Sequence, residues 1–365
     1  MPQNQGAGSY NKPRHTFTSL YNGDVVEGGS ERVTRGAWSN NVGTLGAYHT
    51  SSAQSSTQKQ YYYEIYNGVS TTSTSEPQFS VAYGHKEGSG SLSGASNNND
   101  SPTQAIYSQY AQVLLDDNKT TFEFNSVSTK HIYAVNINRA RLKDRLDPGN
   151  FQLNLARLSG SSHTNLTHTG SNVHVDKTLN QVIRLIDDSG DSLQTQNQIG
   201  RVFNLVSGSI SAGVYSPTTY YGQVYPEQGV IVLNADTLDT NLEFNSVTSS
   251  NLNGDNAFKL FTAISGAYSI STTDGFAARN EEEVKSTFYF VRARNKSYNF
   301  SNNPSFATGS TGIINQQTFL NNPKVYITTV GLYNEDQELL AIAKLSQPIL
   351  KSFSNEILVK VKLDF

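Results

Sequence analysis

Residues 357–365, ILVKVKLDF, alternate without a break: Ile357, Val359, Val361, Leu363 and Phe365 fall on one side, Leu358, Lys360, Lys362 and Asp364 on the other. A period of two is that of a β-strand, whose successive side chains point to opposite faces. Working back from it, residues 325–333 and 339–345 form two further apolar runs about a turn at Asn334-Glu335-Asp336, with Pro348 closing the second. Upstream, short runs rich in aromatic and β-branched residues predict strands over 61–66, 79–83, 122–124, 132–137, 151–158, 182–186, 202–206, 230–233 and 288–292. Asp147-Pro148-Gly149-Asn150 reads as a turn before the run at 151–158, since Pro presets φ and Gly accepts a positive one.

Helix signals are few. Ser101, Pro102 and Gln104 make an N-cap, a first-turn proline and a capping box, followed by Ile106, Tyr110, Val113 and Leu114 as the expected buried stripe. A second helix is expected from Asn256 to Ile264. The expected fold is therefore mainly β: two β-sandwich-like domains, over 59–165 and 166–365, with one or two short helices and an extended N-terminal arm over 1–58. The boundary is placed in the polar stretch SGSSHTNLTHTGSN, and the arm is inferred from apolar residues too sparse to bury a surface, apart from Val25, Val26 and the lone Trp38.

Composition agrees with this reading and narrows the chemistry. Charged residues make up 16% of the 365, where about 25% is usual; Ser, Thr and Asn take their place, and these residues favour turns and caps over helix interiors. There is no cysteine, which removes disulfides, thiolate metal sites and cysteine nucleophiles. The net charge of −3 announces no nucleic-acid or anionic-membrane partner. Apolar runs far short of a membrane span, and a start without a hydrophobic leader, lead to the expectation of a soluble protein.

Several constellations invite a chemical reading. His163, His168 and His174, followed by Asp176, fall in a polar stretch read as a loop; imidazoles so placed bind divalent metals, but the spacing matches no compact zinc motif, and solvated loop histidines are the alternative. Asp187-Asp188 with Asp191, and Asp236 with Asp239, offer the paired carboxylates of a calcium loop or a glycosidase, or simply turn formers. The glycines at 84, 88, 90 and 94 match no phosphate-binding fingerprint. Arg139, Arg141, Lys143 and Arg145 form a basic run that could meet phosphate or an acidic partner, or pair locally with Asp144 and Asp147. Trp38, Lys360 and Lys362 complete the interaction candidates. Glu123-Phe-Asn-Ser-Val127 recurs as Glu243-Phe-Asn-Ser-Val247, but the flanking segments do not align. No catalytic, metal or cofactor site is assigned.

SPTQAIYSQY (101–110), INRARLKDRLDPGNFQLNL (137–155), STFYFVRARNKSYNFSNNPSF (286–306) and the segment from Pro323 to Phe365 resemble virion structural proteins of T4-like contractile-tailed marine phages, including cyanophages. The resemblance runs from about residue 60 to 365 and is most distinctive in the last forty residues. It implies a tail or baseplate subunit, located in the virion after assembly in the host cytoplasm, without enzymatic activity. Its partners would be other virion structural proteins and copies of itself, held through strand edges and the N-terminal arm. No membrane, nucleic-acid, cofactor or small-molecule partner is expected. A neck or capsid-associated position, a receptor- or glycan-binding fibre module, and a virion-associated glycan hydrolase resting on the acidic pairs alone are the alternatives.

Overall fold

The computed structural model of the chain describes residues 20, 23–50, 61–90, 101–158, 175, 179–190, 195–216, 218–248, 255–300, 305–306, 311 and 313–364. It is mainly β, with strands over 49% and helices over 17%. In chain order the elements are β1 (Val25–Gly36), β2 (His49–Thr50), β3 (Tyr62–Tyr66), β4 (Pro77–His85), α1 (Pro102–Leu114), β5 (Phe122–Phe124), β6 (Val127–Thr129), β7 (His131–Ile137), α2 (Arg139–Leu142), β8 (Arg145–Ala156) and β9 (Val182–Asp187). There follow β10 (Thr195–Asn197), β11 (Gly200–Ser209), β12 (Gly213–Ser216), β13 (Gly222–Tyr225), β14 (Val230–Asn234), α3 (Ala235–Leu242), α4 (Asn256–Ile270), β15 (Ala277–Ala293), α5 (Gln317–Asn321), β16 (Lys324–Tyr333), β17 (Leu339–Ser352) and β18 (Ile357–Asp364).

Two compact units emerge: Arg32–Glu283, and Met1–Glu31 together with Val284–Phe365. The expected division near residues 155–180 falls elsewhere, because β8 and β9, on either side of it, are antiparallel neighbours in register from Gln152↔Ile186 to Ala156↔Val182. The polar stretch connects two paired strands. Nor does the whole of residues 1–58 form an arm: β1 is a sheet strand, and Ala37, Trp38 and Leu45 are buried.

The larger unit is an antiparallel sheet in the order β15-β8-β9-β11-β13-β14-β7-β4-β3-β2. Alternation sorts its side chains to two faces. Tyr133, Val135, Ile231 and Leu233 enter one core with Leu260 and Ile264 of α4, while Ile132, Val230 and Val232 enter a second with Tyr107 and Leu114 of α1 and the β5–β6 hairpin. Covered on both sides, β14 reads as an unbroken apolar run, VIVLN.

One segment bonds both to the start of β15 and to β3. At β15, Leu45 N–H donates to Phe276 O (2.9 Å) and Ala278 N–H to Gly43 O (2.9 Å); a few residues on, His49 and Thr50 pair with Tyr66 and Ile65 of β3. Trp38 sits inside the junction, its Nε1 donating to Phe276 O at 2.8 Å and its ring 4.8 Å from Phe276 and 5.8 Å from Phe79.

Three local details depart from expectation. The buried face of α1 is Thr103, Tyr107, Ala111 and Leu114, with Tyr110 half-buried against the same core and Val113 exposed. The helix backbone at Tyr107 lies so close to Gly84 of β4 that a Cβ there would stand 2.9 Å from Tyr107 N, which turns Tyr107 inward. Its hydroxyl donates to Thr129 O (2.9 Å) and accepts from Phe122 N–H (3.1 Å), while Ser101 makes no side-chain cap. Residues 147–150 do not end a strand. They bulge from β8, where Leu146 pairs with Asn280 and Phe151 with Ala278, and Gly149 at φ 82° donates its N–H to Asp187. Pro348 likewise sits in a bulge within β17: residues 345–348 face Thr328 alone, so the missing N–H costs no ladder bond. The two Glu-Phe-Asn-Ser-Val copies also differ, one being the β5–β6 hairpin and the other the irregular segment after α3.

Trp38→Ala should cost about 3–5 kcal/mol by opening a cavity among Phe79 and Phe276; chemical denaturation of the two proteins measures it, and a loss under 1 kcal/mol would contradict the packing. Gly84→Ala should cost about 1–3 kcal/mol by forcing α1 from β4, read as a lowered melting temperature.

Candidate functional site

In the smaller unit β15 pairs with β18 over eight residues, Ser286↔Asp364 to Ala293↔Ile357. The alternation of 357–364 holds: Ile357 and Val361 are buried, Leu358, Lys360, Lys362 and Asp364 exposed. Val359 and Leu363, with Tyr289 and Val291 of β15, line a groove of about 1860 Å³. Val325, Ile327 and Leu332 of β16 line it too, as do Phe306 and Phe319, whose rings meet edge to face at 4.6 Å.

β16 and β17 pair only with each other among the described residues. A two-stranded hairpin is marginal by itself in water, and this one leaves large apolar side chains uncovered: Tyr326 is 65% exposed, Leu340 68% and Ile342 67%. Leu339 and Phe353 are exposed as well, and so many large apolar side chains left in water on one short stretch are of the kind that marks an interaction surface. The signal for it lay in the sequence, since VYITTVGLY lacks a polar face, but a missing alternation is easily taken for full burial.

The densest polar constellation lies in the larger unit, around α3. Asn234 caps that helix by accepting from Asp236 and Thr237 N–H, which sets the Asp236 carboxylate over β7. There Asp236 Oδ1 lies 2.8 Å from His131 Nε2, Oδ2 accepts from Thr129 Oγ1 (2.7 Å), and His131 Nδ1 lies 3.2 Å from the Tyr83 hydroxyl. Ser246 Oγ donates to Asp239 Oδ1 (2.6 Å) and meets the Tyr133 hydroxyl at 2.8 Å, while Lys259 Nζ donates to Asn245 O (2.8 Å). Burial works against the Asp236 charge, but the bonds from Thr129 and His131 outweigh it and hold the carboxyl below its ordinary value. Burial pushes Asp239 up and takes Lys259 down to about 8. His85 is lowered by burial and then by His131.

A hydrolytic serine needs a general base, most often histidine or lysine, in hydrogen-bond reach. Ser246 instead meets Asp239 and Tyr133, and His131 meets Asp236 and Tyr83, so the constellation ties α3 and the segment after it to β4 and β7. The other carboxylates are similarly occupied: Asp187 accepts from Gly149 and Ser189 N–H, Asp188 from the backbone and side chain of Asn204. Among the described residues no group of three or more His, Asp or Glu is gathered to hold a metal, and no helix is long and apolar enough to cross a membrane.

The sequence candidates scatter. His163, His168, His174, Asp176 and Asp191 lie outside the described residues. Trp38 is a core residue, so it presents no surface to a partner. The basic run divides between α2 and β8. Arg141 pairs with Glu76 (3.2 Å), and Arg145 with the buried Glu281, which Arg32 also reaches at 3.0 Å; Arg139 and Lys143 alone of the four are exposed. Sequence reasoning missed these carboxylate partners because they lie far from the run along the chain. Lys360 lies 3.8 Å over the Phe288 ring and Lys362 pairs with Asp364 (3.1 Å) and Glu31 (3.3 Å), so both serve the sheet they stand on. A cavity of about 390 Å³, lined by Gln152, Arg184, Ser209, Ile210, Ser211, Thr273 and Asp274, carries the Arg184–Asp274 ion pair at 2.7 Å.

Comparison of the chain with protein-family models, with curated proteins and with solved structures finds no match.

Because His85 is held below the ordinary imidazole value, the unfolded chain takes up that proton first. Its contribution to stability is full above about pH 6.5 and is lost as pH falls toward the folded value. His85→Gln should therefore flatten the fall in denaturation midpoint between pH 7 and pH 5; an unchanged slope would contradict the assignment.

Proposed function

We propose that the chain is a structural subunit of a contractile-tailed phage virion, in the tail or baseplate, working by contact with neighbouring subunits. The observation that carries this reading is the uncovered apolar face of the β16–β17 hairpin, where Tyr326, Leu340 and Ile342 lie in water unless another surface covers them. Burying such side chains contributes about 1.5–3 kcal/mol each, enough for a few of them to hold a subunit already positioned by its other contacts. The resemblance of residues 286–306 and 323–365 to virion proteins falls on the same unit and supports the same reading. Among the described residues, Asp187, Asp188, Asp236, Asp239, Ser246 and His131 are engaged in bonds that build the larger unit. A neck or capsid position follows equally from the hairpin. The cavity lined by Gln152, Arg184, Asp274 and Ile210 favours, second, a glycan-binding fibre module.

Purified chain mixed with the other tail and baseplate proteins should enter a larger complex on a sizing column, and replacing both Leu340 and Ile342 by Ser should reduce that incorporation about tenfold or more. Full-length chain that remains solitary with every virion component, or that binds intact host cells instead, would overturn the assignment.

A further inference from the structure

Sheet edges invite pairing, and proteins blunt them with charge, proline, bulges or brevity. The edges of this molecule are treated unequally. β1 carries Glu27, Glu31, Arg32 and Arg35; β18 carries Lys360, Lys362 and Asp364; β17 carries Lys344 and Pro348 in its bulge; β2 is two residues long. β16 is ten residues with no proline and no charge after Lys324, and its only strand partner among the described residues is β17.

The bulge in the hairpin gives β16 a second property. Thr328 and Thr329 are both exposed, so the alternation resets between them: Val325 and Ile327 face inward before the break, Val330 and Leu332 after it, while Tyr326 and Gly331 face outward. This in-and-out pattern is symmetric about the midpoint of Thr328 and Thr329. Laid antiparallel on itself there, the strand sets Val325 opposite Leu332, Ile327 opposite Val330 and Thr328 opposite Thr329, each pair on a common face. Tyr326 falls opposite Gly331, whose missing Cβ position already lies 2.9 Å from the Tyr333 ring, so the arriving tyrosine meets a glycine and an aromatic neighbour. Charge agrees with the direction. Lys324 at the base of one hairpin arrives beside the tip of the other, which carries Glu335, Asp336 and Glu338. A parallel arrangement would instead bring the two acidic tips together.

We propose that β16 is the docking edge for a second copy of this chain, the two strands pairing antiparallel about Thr328 and Thr329 to make one four-stranded sheet from two hairpins. Such an interface is isologous, each copy offering the same strand. It deepens the subunit reading by naming one neighbour, and it rests on that reading only for its setting.

Light scattering on a dilution series of the full chain should show a dimer that dissociates on dilution. Thr328→Lys brings two ammonium groups together across the two-fold axis and should weaken the dimer about tenfold or more. Thr328→Glu should do the same alone, and an equimolar mixture of the two variants should recover the dimer. Since residue 328 is exposed, both variants should keep the parent melting temperature when all are measured at concentrations low enough for the monomer; should either fail to fold, Tyr326→Ser serves as a second variant with the same expected weakening. A monomer at every concentration, or a dimer indifferent to Thr328→Lys and Tyr326→Ser alike, overturns the proposal. A chain that enters virion complexes but never self-associates would sink this inference and spare the subunit reading. A β16-dependent dimer that ignores every virion protein would do the reverse.

Discussion

The carbonyl of Phe276 accepts two hydrogen bonds, from the Trp38 indole and from Leu45 N–H, and both donors come from the other end of the chain. Phe276 N–H in turn donates to the Tyr48 hydroxyl. This residue therefore anchors the segment that is bonded both to β15 and, through His49 and Thr50, to β3. Without that segment β3 would present a bare edge to water, and the aromatic group centred on Phe276, with Phe79 and Phe151, would lose the Trp38 ring packed against it. Much of the larger unit is arranged around this closure, with α4 against one face of the sheet and α1 against the other.

The polar interior follows from it. A sheet covered on both faces has to satisfy whatever polar side chains its strands carry inward, and His131, Tyr83, Tyr133 and Ser246 do so through the two aspartates of α3. Residues that look like the parts of an active site when read in a row thus become the joints between a helix and a sheet. The smaller unit makes the opposite choice and leaves its apolar surface uncovered.

Strand positions were legible wherever the signal was local. The alternation holds over 357–364 in β18, and β7, β9, β14 and β16 lie where short apolar, aromatic and β-branched runs placed them. What was not legible depended on residues distant in the chain. Trp38 stands alone in a polar neighbourhood and shows no periodicity; its burial is decided by Phe79 and Phe276. The inward face of α1 is set by the absence of a side chain at Gly84, which no helical wheel can display. Residues 147–150 read as a turn ahead of a strand and Pro348 as a strand end, yet the same residues that reverse or stop a chain also let a long strand step out of register and resume. A polar run between β8 and β9 looks the same whether it joins domains or neighbouring strands, and only the pairing of its flanks tells them apart. The candidate site was the least legible part, since an exposed apolar hairpin and a buried one share one sequence pattern.

The reach from Trp38 to Phe276 also has a consequence for synthesis. A ribosome adding roughly 5–20 residues per second makes β3, β4 and β7 long before Phe276 leaves the exit tunnel, so for many seconds the nascent chain carries an open edge and half a core. Contacts this distant are closed late and slowly. In a crowded cell that interval is when a chaperone, or a neighbouring nascent chain of the same kind, would meet the unfinished sheet.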